Sequence, residues 1–239
     1  MRVVMSWPGT DDGSAPRPPS PGSFLARLAG IARVLLLVGG AATIGVALVS
    51  QVHAPAPGAG AAGAVGPAVS GARGPSLRRS LPLSVDIPAI GVHSRLLRLG
   101  VNPDGTMQVP SLITNAGEAA WYKYSATPGQ IGAAVIEGHV DSYHGPAVFF
   151  RLGALRPGDI IDVTRADGVT AIFRVTGVRE YSKSEFPARA IYDGGDYAAL
   201  RLITCGGPFD PATGHYLSST VVFASLTSYK AANHPGNAV

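Results

Sequence analysis

Leu200-Arg201-Leu202-Ile203-Thr204-Cys205-Gly206-Gly207 is an apolar run that ends on a thiol and is broken at once by two glycines. A short aliphatic stretch closed by a turn signal reads as a strand. Cys205 is the sole cysteine among 239 residues, so it forms no internal disulfide. A lone thiol is either a reactive group or a small buried hydrophobe. A strand that carries a thiol to its own end, beside a flexible turn, is a place where a nucleophile can meet a substrate.

Outward from this strand the texture repeats. Leu83-Ser84-Val85-Asp86-Ile87 alternates apolar and polar and stops at Pro88; short apolar runs recur at 133–136, 160–163, 171–175 and 220–224. Turn signals separate them: Pro103-Asp104-Gly105, Pro128-Gly129, Pro157-Gly158-Asp159, Asp167-Gly168 and Gly194-Gly195. This punctuation predicts an all-β sandwich or barrel. The Asp167-Gly168 pair predicts a β-hairpin tip. Residues 116–124 and 187–192 each read as a short helix.

The rest of the chain has a different composition. Residues 1–27 hold Pro, Gly and Ser without apolar period and read as a disordered cytoplasmic tail; 51–79 are mostly Ala, Gly, Pro and Val and read as a linker. Between them, 28–50 is strongly apolar, and its charge-free part, 34–50, spans about 25 Å as a helix. With Arg33 snorkelling, that nearly matches a bilayer core of about 30 Å. Arg17, Arg27 and Arg33 precede it, so the positive-inside rule predicts a single-pass anchor in membrane lipid, its N-terminus cytoplasmic and its remainder extracellular. A cleaved signal peptide competes through Val52-His53-Ala54, but Pro55 fits cleavage poorly. Residues 80–229 are left as one folded domain and 230–239 as a flexible tail. The formal charge is +4, yet from Leu81 onward 12 Lys and Arg face 13 Asp and Glu. The basic balance belongs to the N-terminal third, which argues against a nucleic-acid partner.

A cysteine nucleophile needs a base for its own proton and an acid for the leaving group, and histidine serves most often for both. His53 and His234 fall in the tails, and His93 follows the first strand. His139 stands in Val135-Ile136-Glu137-Gly138-His139-Val140-Asp141, past an apolar strand and a glycine, which repeats the setting of Cys205. The alternative for His139 is a surface or hydrogen-bonded core histidine. His139, Asp141 and His144 lack metal-ligand spacing, so no metal is expected, and no cofactor motif is present. There is no GxSxG elbow and no Gly-rich phosphate loop.

These segments together resemble the sortases, cysteine transpeptidases of Gram-positive cell surfaces. Leu200 to Cys205 is similar to their TLxTC strand, and the Gly138-His139 stretch is similar to their histidine motif. The resemblance continues through Asp86-Ile87-Pro88-Ala89-Ile90-Gly91-Val92, Pro103-Asp104-Gly105-Thr106-Met107-Gln108-Val109-Pro110, Trp121-Tyr122, Gly145-Pro146-Ala147-Val148-Phe149-Phe150-Arg151-Leu152 and Gly207-Pro208-Phe209-Asp210. In these details it is most like class F sortases of actinobacteria. The resemblance implies an eight-stranded β-barrel with its site at one end. It implies Cys205 as the nucleophile on an LPXTG-like sorting signal of a secreted protein, held as an acyl-thioester. It implies His139 as the acid and base, and transfer to a peptidoglycan precursor or another amine. The Gly206 N–H and Thr204 hydroxyl are the oxyanion candidates. The family's arginine downstream of the cysteine has no counterpart, because no arginine follows Arg201. Arg201, Arg151 and His215 are the substitutes in view. The competing function is a weak or inactive surface module that binds peptide or cell wall.

Overall fold

The computed structural model describes residues 53–61, 63 and 74–231, so the expected tail at 1–27, the anchor at 28–50 and most of 230–239 lie outside the described residues. Ten strands are present among the described residues: β1 (Pro82–Ile87), β2 (Val92–Leu99), β3 (Ala119–Tyr122), β4 (Gly132–Glu137), β5 (Asp141–Ser142), β6 (Gly145–Pro146), β7 (Ile160–Arg165), β8 (Thr170–Ser182), β9 (Ala198–Asp210) and β10 (His215–Lys230). Eight of them close a barrel in the order β1-β2-β3-β4-β9-β10-β8-β7, while β5 and β6 form a small separate hairpin. One short helix, α1 (Ala188–Tyr192), lies in the β8–β9 connection. Among the described residues no helix is long and apolar enough to cross a membrane.

Strand alternation explains why β9 is apolar throughout. Leu200 and Leu202 point into the barrel core with Val85, Trp121 and Phe173, whereas Ala199 and Ile203 point outward into a second cluster with Val135, Ile191 and Phe223. A strand buried on both faces loses the alternation that marks a half-exposed one. The outer cluster is roofed by the β8–β9 connection, whose Phe186, Tyr192 and Tyr197 pack against it. At five residues α1 is too short to hold itself, and its buried Ile191 fixes it to the sheet.

Two local expectations change. Residues 116–124 form no helix: Ala119–Tyr122 is β3, paired parallel to β2 and antiparallel to β4. Helix-favouring alanines give way to the ladder and to Trp121, which is buried and donates from Nε1 to the Ala126 carbonyl at 3.0 Å. The stretch read as linker is also not wholly clear of the barrel. The Val178 N–H donates to Ala61 O at 2.6 Å, and the Leu77 N–H donates to Gly129 O at 2.8 Å. The buried guanidinium of Arg165 donates to the carbonyls of Arg78 and Pro128 and pairs with Asp167. These contacts use backbone atoms, so a composition that lacks large apolar side chains does not reveal them.

Candidate active site

Two parallel neighbours set the site. In the β4–β9 ladder every partner lies 66 residues further on, from Gly132 opposite Ala198 to Glu137 opposite Ile203. The Gly138 N–H then donates to Ile203 O at 3.2 Å, holding the backbone alongside β9 beyond the last paired residue. The ladder stops at Glu137 and Ile203, two residues before His139 in one segment and two before Cys205 in the other. Parallel strands run to the same barrel end, so the chain leaves β4 towards His139 at the end where β9 carries Cys205. Cys205 lies on the outward-facing set of β9, because Ile203, two residues before it, belongs to the outer cluster. Across β9 the register continues: Cys205 opposes Ser219 on β10, and Ser219 opposes Tyr181 on β8. Cys205 retains 9% of its surface; Gly206 after it is buried, and residues 207–209 are exposed.

The His139 ring is fixed. Its Nε2 lies 2.6 Å from the Pro110 carbonyl, which can only accept, so the neutral ring carries its proton there and Nδ1 is the basic nitrogen. Burial holds the imidazole below its ordinary value, opposed by the Pro110 bond and the charge of Asp141. The thiol moves the other way. Burial pushes Cys205 up to about 11; Lys183 pulls it down, and Asp141 and Glu137 push it up. At neutral pH the resting pair is therefore thiol and imidazole, with the thiolate a small minority.

Lys183 is the residue that sequence reasoning missed. It follows the end of β8, and its Nζ lies 3.5 Å from Cys205 Sγ. The signal for it was only topological: β8 and β9 both border β10, which no spacing along the chain announces. Tyr216 was missed as well, and Asp141 was weighed only as a metal ligand; the Tyr216 hydroxyl donates to Asp141 Oδ2, tying β10 to the turn after His139.

The other candidates are placed differently. Thr204 opposes Thr220 on the inward-facing set, so its hydroxyl points into the barrel, away from the thiol. Gly206 follows the thiol on β9, and a Cβ there would lie 2.5 Å from Thr220 Oγ1, so a side chain at 206 would have to displace that hydroxyl. Arg201 does share the thiol's face, but its guanidinium is buried over the Phe223 ring at 4.7 Å and donates to Leu200 O and the Tyr197 hydroxyl. Arg151 lines a pocket with Ile90, Val92 and His93 that includes neither Cys205 nor His139. His215 pairs in register with Asp210 at the outer end of the β9–β10 hairpin.

Glu137, on the outward-facing set two residues before His139, is fully buried, and neither carboxyl oxygen meets a hydrogen-bond partner. Burial drives it well above the ordinary carboxylate range. The folded chain thus holds a proton that the unfolded chain releases, so stability falls as pH climbs from about 4.5 towards the raised value. Glu137→Gln removes this slope. Its melting temperature should match wild type near pH 4.5 and exceed it by several degrees at pH 8, read by calorimetry at both values.

With this geometry in hand, the relatives can be placed. A family model of the sortase domain matches residues 85–227. The chain belongs to the sortase family and is a cysteine transpeptidase. Among solved structures it is similar to sortase A of Listeria monocytogenes, at 17% identity and TM-score 0.48, covering 65% of this chain and 92% of that one. It is similar to a lid mutant of sortase A from Corynebacterium diphtheriae, at 19% identity and TM-score 0.48, covering 66% and 76%. A sortase D5 transpeptidase of Clostridium perfringens shares 22% identity at TM-score 0.45, covering 62% and 79%. Overlaps this loose add nothing to the family model, which carries the assignment. No curated protein matches the chain.

Proposed function

We propose that this transpeptidase cleaves an LPXTG-type sorting signal of secreted proteins and transfers the acyl chain to a cell-wall amine, as a class F-like enzyme anchored through residues 28–50 with its barrel outside the cell. The observation that supports the reading is the parallel β4–β9 pairing, whose last pair, Glu137 with Ile203, lies two residues before His139 and two before Cys205. Cys205 gives its proton to His139 and adds to the scissile carbonyl carbon. The tetrahedral intermediate collapses to a thioester as the departing amine takes that proton. An incoming amine then loses a proton to His139, attacks the thioester carbonyl and releases the sulfur. The Gly206 N–H is the backbone candidate for the oxyanion.

The test uses the full chain in detergent, mixed with an LPXTG-type peptide and with hydroxylamine or a peptidoglycan stem-peptide amine. Expected are a thioester adduct on Cys205 by mass spectrometry and amine-dependent product. Absence of both with every LPXTG variant would defeat the substrate assignment. For the anchor, fractionation of producing cells should place the chain in the membrane, with the barrel open to added protease in intact protoplasts.

A further inference from the structure

Among the described residues, the Lys183 ammonium lies within contact of the resting thiol. Register explains how Lys183 arrives there. Cys205, Ser219 and Tyr181 form a row across β9, β10 and β8, and Lys183 lies two residues beyond Tyr181, just past the strand's end. The residue directly across from the thiol is Ser219, whose short side chain is fully buried with its hydroxyl unpartnered. A long side chain starting one strand further out can therefore pass over Ser219, and Nζ stops 3.5 Å from Sγ. Lys183 itself is half-buried, so its charge is partly shielded from water. The alternatives are committed elsewhere: Arg201 is held by Phe223, Leu200 and Tyr197, and no arginine follows it in the chain.

We propose that Lys183 is the catalytic cation of this site: its ammonium faces the Cys205 thiolate and then donates a hydrogen bond to the carbonyl oxygen under attack. The assignment of the second role rests on the transpeptidase reading above. When the thiolate adds to the scissile carbonyl, the carbonyl π pair moves onto oxygen, and the new charge forms beside the carbon bonded to sulfur. A donor already within 3.5 Å of the sulfur needs only a small side-chain swing to meet that oxygen. Lys183 keeps its protons throughout. The proton that leaves the thiol goes to His139 and on to the departing amine, so the cation stabilises charge without entering the proton balance. The same ammonium lies over the acyl-thioester and serves the second half of the reaction when the incoming amine regenerates an oxyanion.

The experiment compares the full-length wild type with Lys183→Met, Lys183→Arg, and Lys183→Met combined with Ser219→Lys. The last variant returns an ammonium to the position opposite the thiol from β10. Two readouts are taken: kcat/KM for transfer of an LPXTG-type peptide to hydroxylamine, and the iodoacetamide alkylation rate of Cys205 from pH 7 to 10. Lys183→Met should lower kcat/KM on the order of 10²–10³-fold, the size found for one oxyanion donor, with most of the loss in kcat. It should also slow alkylation about tenfold at every pH below the thiol's titration, with melting temperature unchanged. Lys183→Arg should keep at least a tenth of wild-type turnover, and the double variant should regain at least tenfold over Lys183→Met. Unchanged alkylation and unchanged kcat/KM in Lys183→Met overturn the proposal. So does a loss that neither Lys183→Arg nor the relocated lysine restores. If wild type transfers no LPXTG-type peptide, the substrate reading fails on its own, and alkylation alone decides the cation: slower in Lys183→Met upholds it at the thiolate, unchanged overturns it.

Discussion

Cys205→Ala should abolish thioester formation and reduce transfer of a sorting-signal peptide by on the order of 10⁴-fold or more, the scale of loss when a covalent catalyst forfeits its nucleophile. The fold should survive. Cys205 lies at the end of the apolar stretch of β9, one buried glycine before the exposed residues 207–209, and is absent from both apolar clusters, so its truncation leaves a small gap near the strand's exposed end. A melting temperature within a few degrees of wild type therefore accompanies the loss of chemistry. Wild-type reactivity has its own signature. With the thiol pushed up to about 11, the thiolate is about one part in a thousand at pH 8. Since that titration lies above the working range, alkylation of Cys205 should climb about tenfold per pH unit from 7 to 10 without a plateau. A plateau near pH 8 would mean that the thiol is far less buried, or its cation far stronger, than the geometry allows. Equal product from wild type and Cys205→Ala would remove the nucleophile from the reading altogether.

How much of this was legible in the chain varies with the physics behind each element. The β4, β7 and β9 strands were readable because their runs are apolar and bounded by Gly or Pro, and the β7–β8 hairpin turns at Asp167-Gly168 where Gly168 takes φ +78°. The β2 strand was not: Val92-His93-Ser94-Arg95-Leu96-Leu97-Arg98-Leu99 carries exposed polar residues on its solvent side and no clean period. β3 was masked by alanines whose local preference is overruled by pairing with β2 and β4. At the site, the two strand-end residues were visible as types, and their separation of 66 was known. That the same number is the ladder offset between β4 and β9 could be learned only from the fold. Lys183 illustrates the remaining gap. A solvated lysine past a strand looks like any other until three strands are laid side by side. Thr204 is next to the thiol in sequence, yet neighbours on a strand face opposite ways, which the chain alone does not display until the strand is placed.

His139→Gln should lower kcat/KM by about 10²–10⁴-fold, the range that a positioned acid and base supplies. This substitution separates chemistry from architecture. The imidazole does structural work by donating from Nε2 to Pro110 O at 2.6 Å, which ties the loop after β2 to the end of β4. A glutamine amide has an N–H to offer the same carbonyl but no group that takes a proton from a thiol. Stability should thus stay near wild type while thioester formation collapses, whereas His139→Ala should lose both. The pH profile adds a second check with a definite sign. Burial holds the imidazole below its ordinary value and the thiol above its own, so the productive ion pair is a fixed minority between the two titrations. Turnover should be nearly flat between them, falling below the imidazole's value and above the thiol's. In His139→Gln that flat region should vanish, and the residual rate should rise with pH as free thiolate accumulates. A His139→Gln enzyme with wild-type turnover and a wild-type profile would show that the ring serves Pro110 alone, and the base would then have to be sought elsewhere on the rim.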